Sequence, residues 1–188
     1  MSVTIREVSI NDVNTFTTLM QQVFEESEYM LYDPGEYMPS FENAISKMEE
    51  VITSPHLAIF VAQKEEQLVG YLTVKTKTLH RIAHIAEISI GVLRQYQNAG
   101  IGYQLLQQCM EWCRQHGVTR LSLSVVTENK AAVQFYERAG LKLRVNFNIH
   151  SKLKIITTTR LLWLICYPLL LIQRLNISIL SFYEVRLT

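Results

Sequence analysis

The sequence predicts an α/β (α+β) protein, with a mixed, mostly antiparallel central sheet and helices on both faces. Three observations carry this. Apolar residues recur with a period of two in some stretches and near 3.6 in others, and the stretches order as β-α-α-β-β-β-α-β-α. Two of the strand-like stretches, His56 to Ala62 and Gln67 to Thr76, flank a polar Lys64-Glu65-Glu66 turn, as in a hairpin. A third, apolar stretch ending at Val92 runs through a polar loop with two glycines into an amphipathic helix.

Each element has a local reason. Val3 to Val8 alternates and is the first strand. Asn11 or Asp12 can cap the helix that carries Val13, Phe16, Leu19, Met20, Val23 and Phe24, because a short oxygen-bearing side chain accepts from free amides of a first turn. Asp33-Pro34-Gly35 and Pro39 mark a loop. Ser40 caps a second helix, Phe41 to Thr53, with Ala44, Ile45, Met48, Val51 and Ile52 inward, and Pro55 closes it. After the hairpin, a third strand runs from about Ile82 to Val92. The helix from Ile101 to His116 points Leu105, Leu106, Cys109, Met110 and Cys113 inward and stops at Gly117. Leu121 to Val126 is a strand, and Lys130 to Arg138 is a helix ended by Gly140.

Composition narrows the function classes. The 188 residues suit one domain with a sizeable core. The net charge of +1, without a basic block, gives no footprint for nucleic acid. Cys109 and Cys113 lie four apart on one helix face with no His or Cys cluster nearby. They read as small buried thiols rather than half of a metal site, so no metal is expected. Three cysteines make no disulfide framework, and the first residues lack the apolar core of a signal peptide, so a cytoplasmic setting is expected.

The loop Gln97-Asn98-Ala99-Gly100-Ile101-Gly102 is the feature with chemistry in it. First-turn amides of a helix have no intrahelical partner, the helix dipole places partial positive charge there, and glycine lets backbone approach an anion. Taken alone, a short Gly-x-Gly favours a tight strand-to-helix turn with no ligand.

A second segment changes the weight of the first. Gln97 to Gly102 is similar to the Gln/Arg-x-x-Gly-x-Gly/Ala loop of the GNAT superfamily of N-acetyltransferases. Asn129-Lys130-Ala131-Ala132-Val133-Gln134-Phe135-Tyr136-Glu137-Arg138-Ala139-Gly140-Leu141 resembles that superfamily's Asn-x-x-Ala-x-x-x-Tyr-x-x-x-Gly-Phe segment. The resemblance spans about residues 3–142 and implies acetyl transfer from acetyl-CoA to a primary amine by direct attack on the thioester.

The resemblance also implies roles. Amides of Asn98, Ala99, Gly100, Ile101 and Gly102, with Gln97 and Tyr103 beside them, would cradle the coenzyme pyrophosphate. The strand Ile88 to Val92 would splay from its neighbour and pair with the pantetheine arm, with Val92 nearest the thioester. Asn129 would bond the coenzyme, or cap its helix, or both. Tyr136 would protonate the departing thiolate as general acid; the alternative is an aromatic that packs. Glu87, the only carboxylate between Glu66 and Glu111, is the candidate base, or else a solvated surface residue. His84 and Arg81 lie near the start of the same strand. Ser124 stands where some relatives carry a glutamate. Glu25, Glu26, Glu28, Asp33 and Glu36 would face a cationic acceptor, with Tyr29, Met30 and Leu31 as an apolar lip, or form a solvated acidic loop. The expected partners are an amine acceptor (a small molecule, a peptide N-terminus or a lysine) and a second copy of the chain in a homodimer; a membrane is not among them. The other function class is a catalytically inactive CoA-binding or ligand-sensing module on the same fold.

Residues 143–188 break the pattern. Residues 1–142 hold 12 Lys+Arg and 16 Asp+Glu, a net of −4; residues 143–188 hold 6 Lys+Arg and one acid, a net of +5, and no glycine. Arg144 to Asn148 could form one strand, and the apolar run after Arg160 is interrupted by Pro168. A frame-shifted or poorly ordered ending fits this shift and would leave the sheet with a bare edge. Reading the coding DNA in all three frames tests it: a frame encoding a glycine- and acid-containing hairpin is expected, and its absence rejects the idea.

Overall fold

Six strands form one sheet in sequence order in a computed structural model of the chain, which describes residues 2–30, 32–141 and 153–157. They are β1 (Thr4–Glu7), β2 (Leu57–Lys64), β3 (Gln67–Thr76), β4 (Ile85–Val92), β5 (Arg120–Val126) and β6 (Leu153–Thr157). Every neighbouring pair is antiparallel except β4 and β5, which run parallel because a helix crosses over between them. The helices are α1 (Val13–Glu26), α2 (Phe41–Thr53), α3 (Ile101–Gln115) and α4 (Lys130–Arg138). The mixed, mostly antiparallel sheet and the element order expected from periodicity are both present.

Strand alternation divides the core between the two faces. Phe60, Leu72, Val74, Ala86 and Ile88 pack with α3 residues Ile101, Leu105, Leu106 and Cys109, and with Tyr136 of α4. Val61, Leu68 and Tyr71 pack with Val13, Phe16, Leu19 and Val23 of α1 and Met48 of α2. Cys109 and Cys113 are buried free thiols, as their helix face implied.

Two local expectations need correction. Asp12 does sit before α1, but its side chain makes no cap bond there. Its carboxylate turns back, accepting from the Ser9 amide at 2.7 Å and from both guanidinium arms of Arg6 at 2.7 and 2.8 Å. A charged bidentate partner outcompetes a neutral amide. The second concerns the sheet edge at β5. The expected strand at Arg144 to Asn148 lies outside the described residues, but β6 pairs with β5 from Ser122↔Thr157 to Val126↔Leu153, so this edge is not bare.

The Arg6 pair holds Asp12 down from the ordinary 3.8 to about 2. A depressed carboxylate stabilises the fold above the unfolded-state pKa and loses that contribution as pH falls through the folded-state value. Arg6 is a third open to water, so the contribution is about 1–2 kcal/mol. Asp12→Asn is expected to lower the melting temperature by a few degrees at pH 7, with the gap to wild type closing as pH falls from about 4 to about 2. A gap of constant size across that range rules the pair out as its source.

Candidate active site

The ladder between β4 and β5 stops early. Only Ile85↔Arg120, Ala86↔Leu121 and Glu87↔Ser122 are paired. Beyond Glu87, β4 keeps its pairing with β3 out to Val92, while β5 pairs with β6 out to Val126. The two strands therefore part, and the β5-facing edge of Ile88–Val92 has no strand partner among the described residues. Unpaired backbone donors and acceptors of this kind take up an extended amide-bearing chain well.

The two-glycine loop sits at the open end of this splay. Asn98 (φ 61°) and Gly100 (φ 79°) are both left-handed, a backbone form that turns successive amides toward one side. Gly100 is the N-cap of α3 and supplies no side-chain cap bond. The first intrahelical bond runs from the Gln104 amide to the Gly100 carbonyl, so the amides of Ile101, Gly102 and Tyr103 are free to bind an anion. Asn98, Ala99, Gly100 and Tyr103 are exposed, as an external ligand requires. Gly102 has a packing reason as well: a Cβ there would lie 3.3 Å from the Phe135 ring of α4.

Gln97 braces the loop. Its side-chain amide donates to the Val92 carbonyl at 3.0 Å, so this backbone acceptor of the splayed strand is already engaged. Val92 itself is half-buried. Asn129 caps α4, its Oδ1 accepting from the Ala132 amide at 3.0 Å, which leaves its two N–H donors without a partner among the described residues. Capping and ligand binding are thus compatible at this residue.

Tyr136 is 6% exposed; its backbone carbonyl accepts from the Leu141 amide, and its hydroxyl makes no hydrogen bond among the described residues. Burial pushes its phenol up, so it stays protonated across the neutral range. It is close enough to Tyr71 of β3 for its charge to raise the Tyr71 phenol. Tyr71 was not singled out from the sequence. Its ring lies across Gly91, where a Cβ would approach Tyr71 Cε1 to 2.7 Å and Val23 Cγ1 to 2.8 Å. Burial raises its phenol too, and the neighbouring Ser89 side chain offsets part of that rise. The place of Tyr71 among the alternating residues of the second hairpin strand is a signal that any core aromatic shares.

Glu87 stands at the vertex of the splay. It faces the same side as Ser89 and Gly91, half exposed, and is paired with Lys77 at 2.5 Å. The apolar residues beside it in sequence, Ala86 and Ile88, point to the other face of the strand and are buried. His84 and Arg81 are exposed. Of the acidic cluster, Glu26 turns out to be tied to Arg94: its carboxylate accepts from the Arg94 amide, and its carbonyl from the Arg94 guanidinium, both at 2.6 Å. Glu36 caps a turn by accepting from the Asp33 amide, while Glu25 and Glu28 are solvated. Leu31 lies outside the described residues. Tyr32, Glu36, Tyr37, Met38 and Lys47 line an open cavity of about 500 Å³ between the α1–α2 loop and α2.

The arrangement combines anion-binding amides, an open strand edge and a buried phenol, and so suits an anionic carrier with an amide-bearing arm. The acetyltransferase (GNAT) family model matches residues 18–141, and the chain belongs to that family. Over 96 residues the chain is 27% identical to L-amino acid N-acetyltransferase AaaT of Escherichia coli K12, a match covering 50% of this chain and 59% of that one. It is 31% identical to an N-alpha-acetyltransferase of Sulfurisphaera tokodaii over 96 residues, 45% of this chain and 56% of that one. The chain thus matches less than two thirds of the length of these relatives. Among solved structures, a GNAT-family acetyltransferase from Streptococcus pneumoniae superposes with a TM-score of 0.76 at 21% identity, covering 85% of this chain and 99% of that one. PaiA N-acetyltransferase from Thermoplasma acidophilum, in complex with coenzyme A, gives 0.71 at 20% identity with the same coverage.

Proposed function

We propose that the chain is an acetyl-CoA-dependent N-acetyltransferase acting on a primary amine. The observation that carries this is the β4–β5 splay, bounded by the uncapped Asn98–Tyr103 backbone at its mouth and by the unpartnered phenol of Tyr136 beside it. Acetyl-CoA would supply an acyl group activated as a thioester. The loop amides would hold its pyrophosphate, the free edge of Ile88–Val92 its amide-bearing arm, and the Asn129 side chain would donate to it. Tyr136 would give its proton to the departing sulfur. A phenol with a raised pKa can do this because the thiolate, held in the same water-poor space, is raised by the same burial.

The acceptor must arrive from the α1–α2 face, where Ser89, Glu87 and the cavity lined by Tyr32 and Tyr37 lie. The names of the relatives support an amino acid or a protein N-terminus as acceptor. A cytoplasmic setting and a homodimer belong to the same proposal. The test is thiol release from acetyl-CoA with amino acids, peptides and polyamines as acceptors. Turnover with at least one amine is expected; tight coenzyme binding with no turnover by any amine would favour an inactive CoA-binding module.

Glu87 is proposed as the base, on its position at the vertex of the splay. Glu87→Gln is expected to lower kcat about 10-fold or more at pH 7. The deficit should shrink as pH rises, because an amine that is already neutral needs no base. An equal deficit at every pH removes Glu87 from proton transfer.

A further inference from the structure

Glu26 and Arg94 are 68 residues apart, yet two hydrogen bonds of 2.6 Å join them. The carboxylate caps the short 3-10 turn Arg94–Tyr96 that leads into the coenzyme loop, and the guanidinium caps the C-terminal end of α1. Tyr96 anchors the same turn to the body of the protein, its hydroxyl meeting Gln67 Oε1 at 3.2 Å. Two residues before Glu26, the buried Phe24 ring packs 5.2 Å from Tyr32 and 5.1 Å from Tyr37. Gln21, one turn earlier, donates to the Tyr37 carbonyl at 3.3 Å. The last two turns of α1 therefore grip the coenzyme loop on one side and the acceptor wall on the other.

We infer that Glu26 and Arg94 form a positioning pair that couples coenzyme binding to the order of the acceptor wall at Tyr32 and Tyr37. This rests on the acetyl-CoA reading of the loop. A helical turn is stiff, so a shift of the Arg94–Tyr96 turn on pyrophosphate binding moves Glu26 and Phe24 together. Neither a capped turn nor an aromatic cluster alone does this; the covalent continuity of Phe24 and Glu26 within one helical turn does.

Chymotrypsin reads the acceptor wall directly, with coenzyme A as the probe and calorimetry to measure its binding. In the wild-type chain, saturating coenzyme A is expected to slow cleavage after Tyr32 and Tyr37 by on the order of fivefold. Glu26→Ala is expected to bind coenzyme A within about threefold of wild type but to lose most of that protection, while Glu26→Gln keeps most of it, because the amide oxygen still accepts from Arg94. Three results overturn the inference. They are full protection in Glu26→Ala, no protection in a wild-type chain that binds coenzyme A, and loss of coenzyme binding in Glu26→Ala at an unchanged melting temperature. A wild-type chain that does not bind coenzyme A rejects the functional reading itself, and this inference with it.

Discussion

Tyr136→Phe is expected to lower kcat by about 100-fold while KM for acetyl-CoA stays within about threefold and the melting temperature does not fall. The three readouts separate a chemical role from a packing role. The Tyr136 ring is buried among core residues and packs 5.1 Å from the Phe135 ring, and phenylalanine keeps those contacts. The hydroxyl has no hydrogen-bond partner among the described residues and is desolvated. Removing an unpartnered buried hydroxyl is neutral or stabilising. A residue retained for packing would thus lose nothing on this change, whereas a proton donor loses everything it supplies. The raised phenol also fixes the pH signature: Tyr136 remains protonated through the alkaline range where amines become neutral, so an alkaline limb below about pH 10 belongs to another group. Unchanged kcat in Tyr136→Phe removes the residue from the mechanism.

Gly91→Ala is the second large effect. A methyl at position 91 would meet Tyr71 Cε1 at 2.7 Å and Val23 Cγ1 at 2.8 Å, distances at which something must move. Tyr71 is 1% exposed and Val23 4%, so neither has open space to enter. Overpacking of this kind costs about 1–3 kcal/mol, or several degrees of melting temperature in a chain of this size. The strain falls on β4 next to the splay, so weaker coenzyme binding is expected along with the stability loss. A double-mutant cycle locates the clash. Val23→Ala opens one of the two contacts and should recover part of the loss, giving a coupling of about 0.5–1.5 kcal/mol, whereas Tyr71→Phe leaves Cε1 in place and should recover little. Full additivity with Val23→Ala would place the damage elsewhere.

The local backbone and caps of this region are legible in the sequence alone. Gln97 to Gly102 announced an uncapped helix start because glycine and the polar run around it act locally. Ser40 and Asn129 announced their caps for the same reason, and both accept from the third residue after them. Glu87 shows where such reading stops. Its alternation was legible, and it does share a face with Ser89 and Gly91. Its partner Lys77 was not legible, because that pairing depends on how β3 and β4 lie side by side. Asp12 is similar: its oxygen suited a cap, but Arg6 came within reach through the path of the chain between β1 and α1.

The sequence by itself determined the strands, the helices, their order and the uncapped backbone at the start of α3, since each depends on side-chain period, capping oxygens or glycine within a few residues. Tertiary structure alone decided where the β4–β5 ladder ends, that Tyr71 lies across Gly91, and that Glu26 holds Arg94. Those are contacts between segments far apart in the chain, set by register and packing. No local propensity encodes them, and they are what set the uncapped loop beside an open strand edge and a buried phenol.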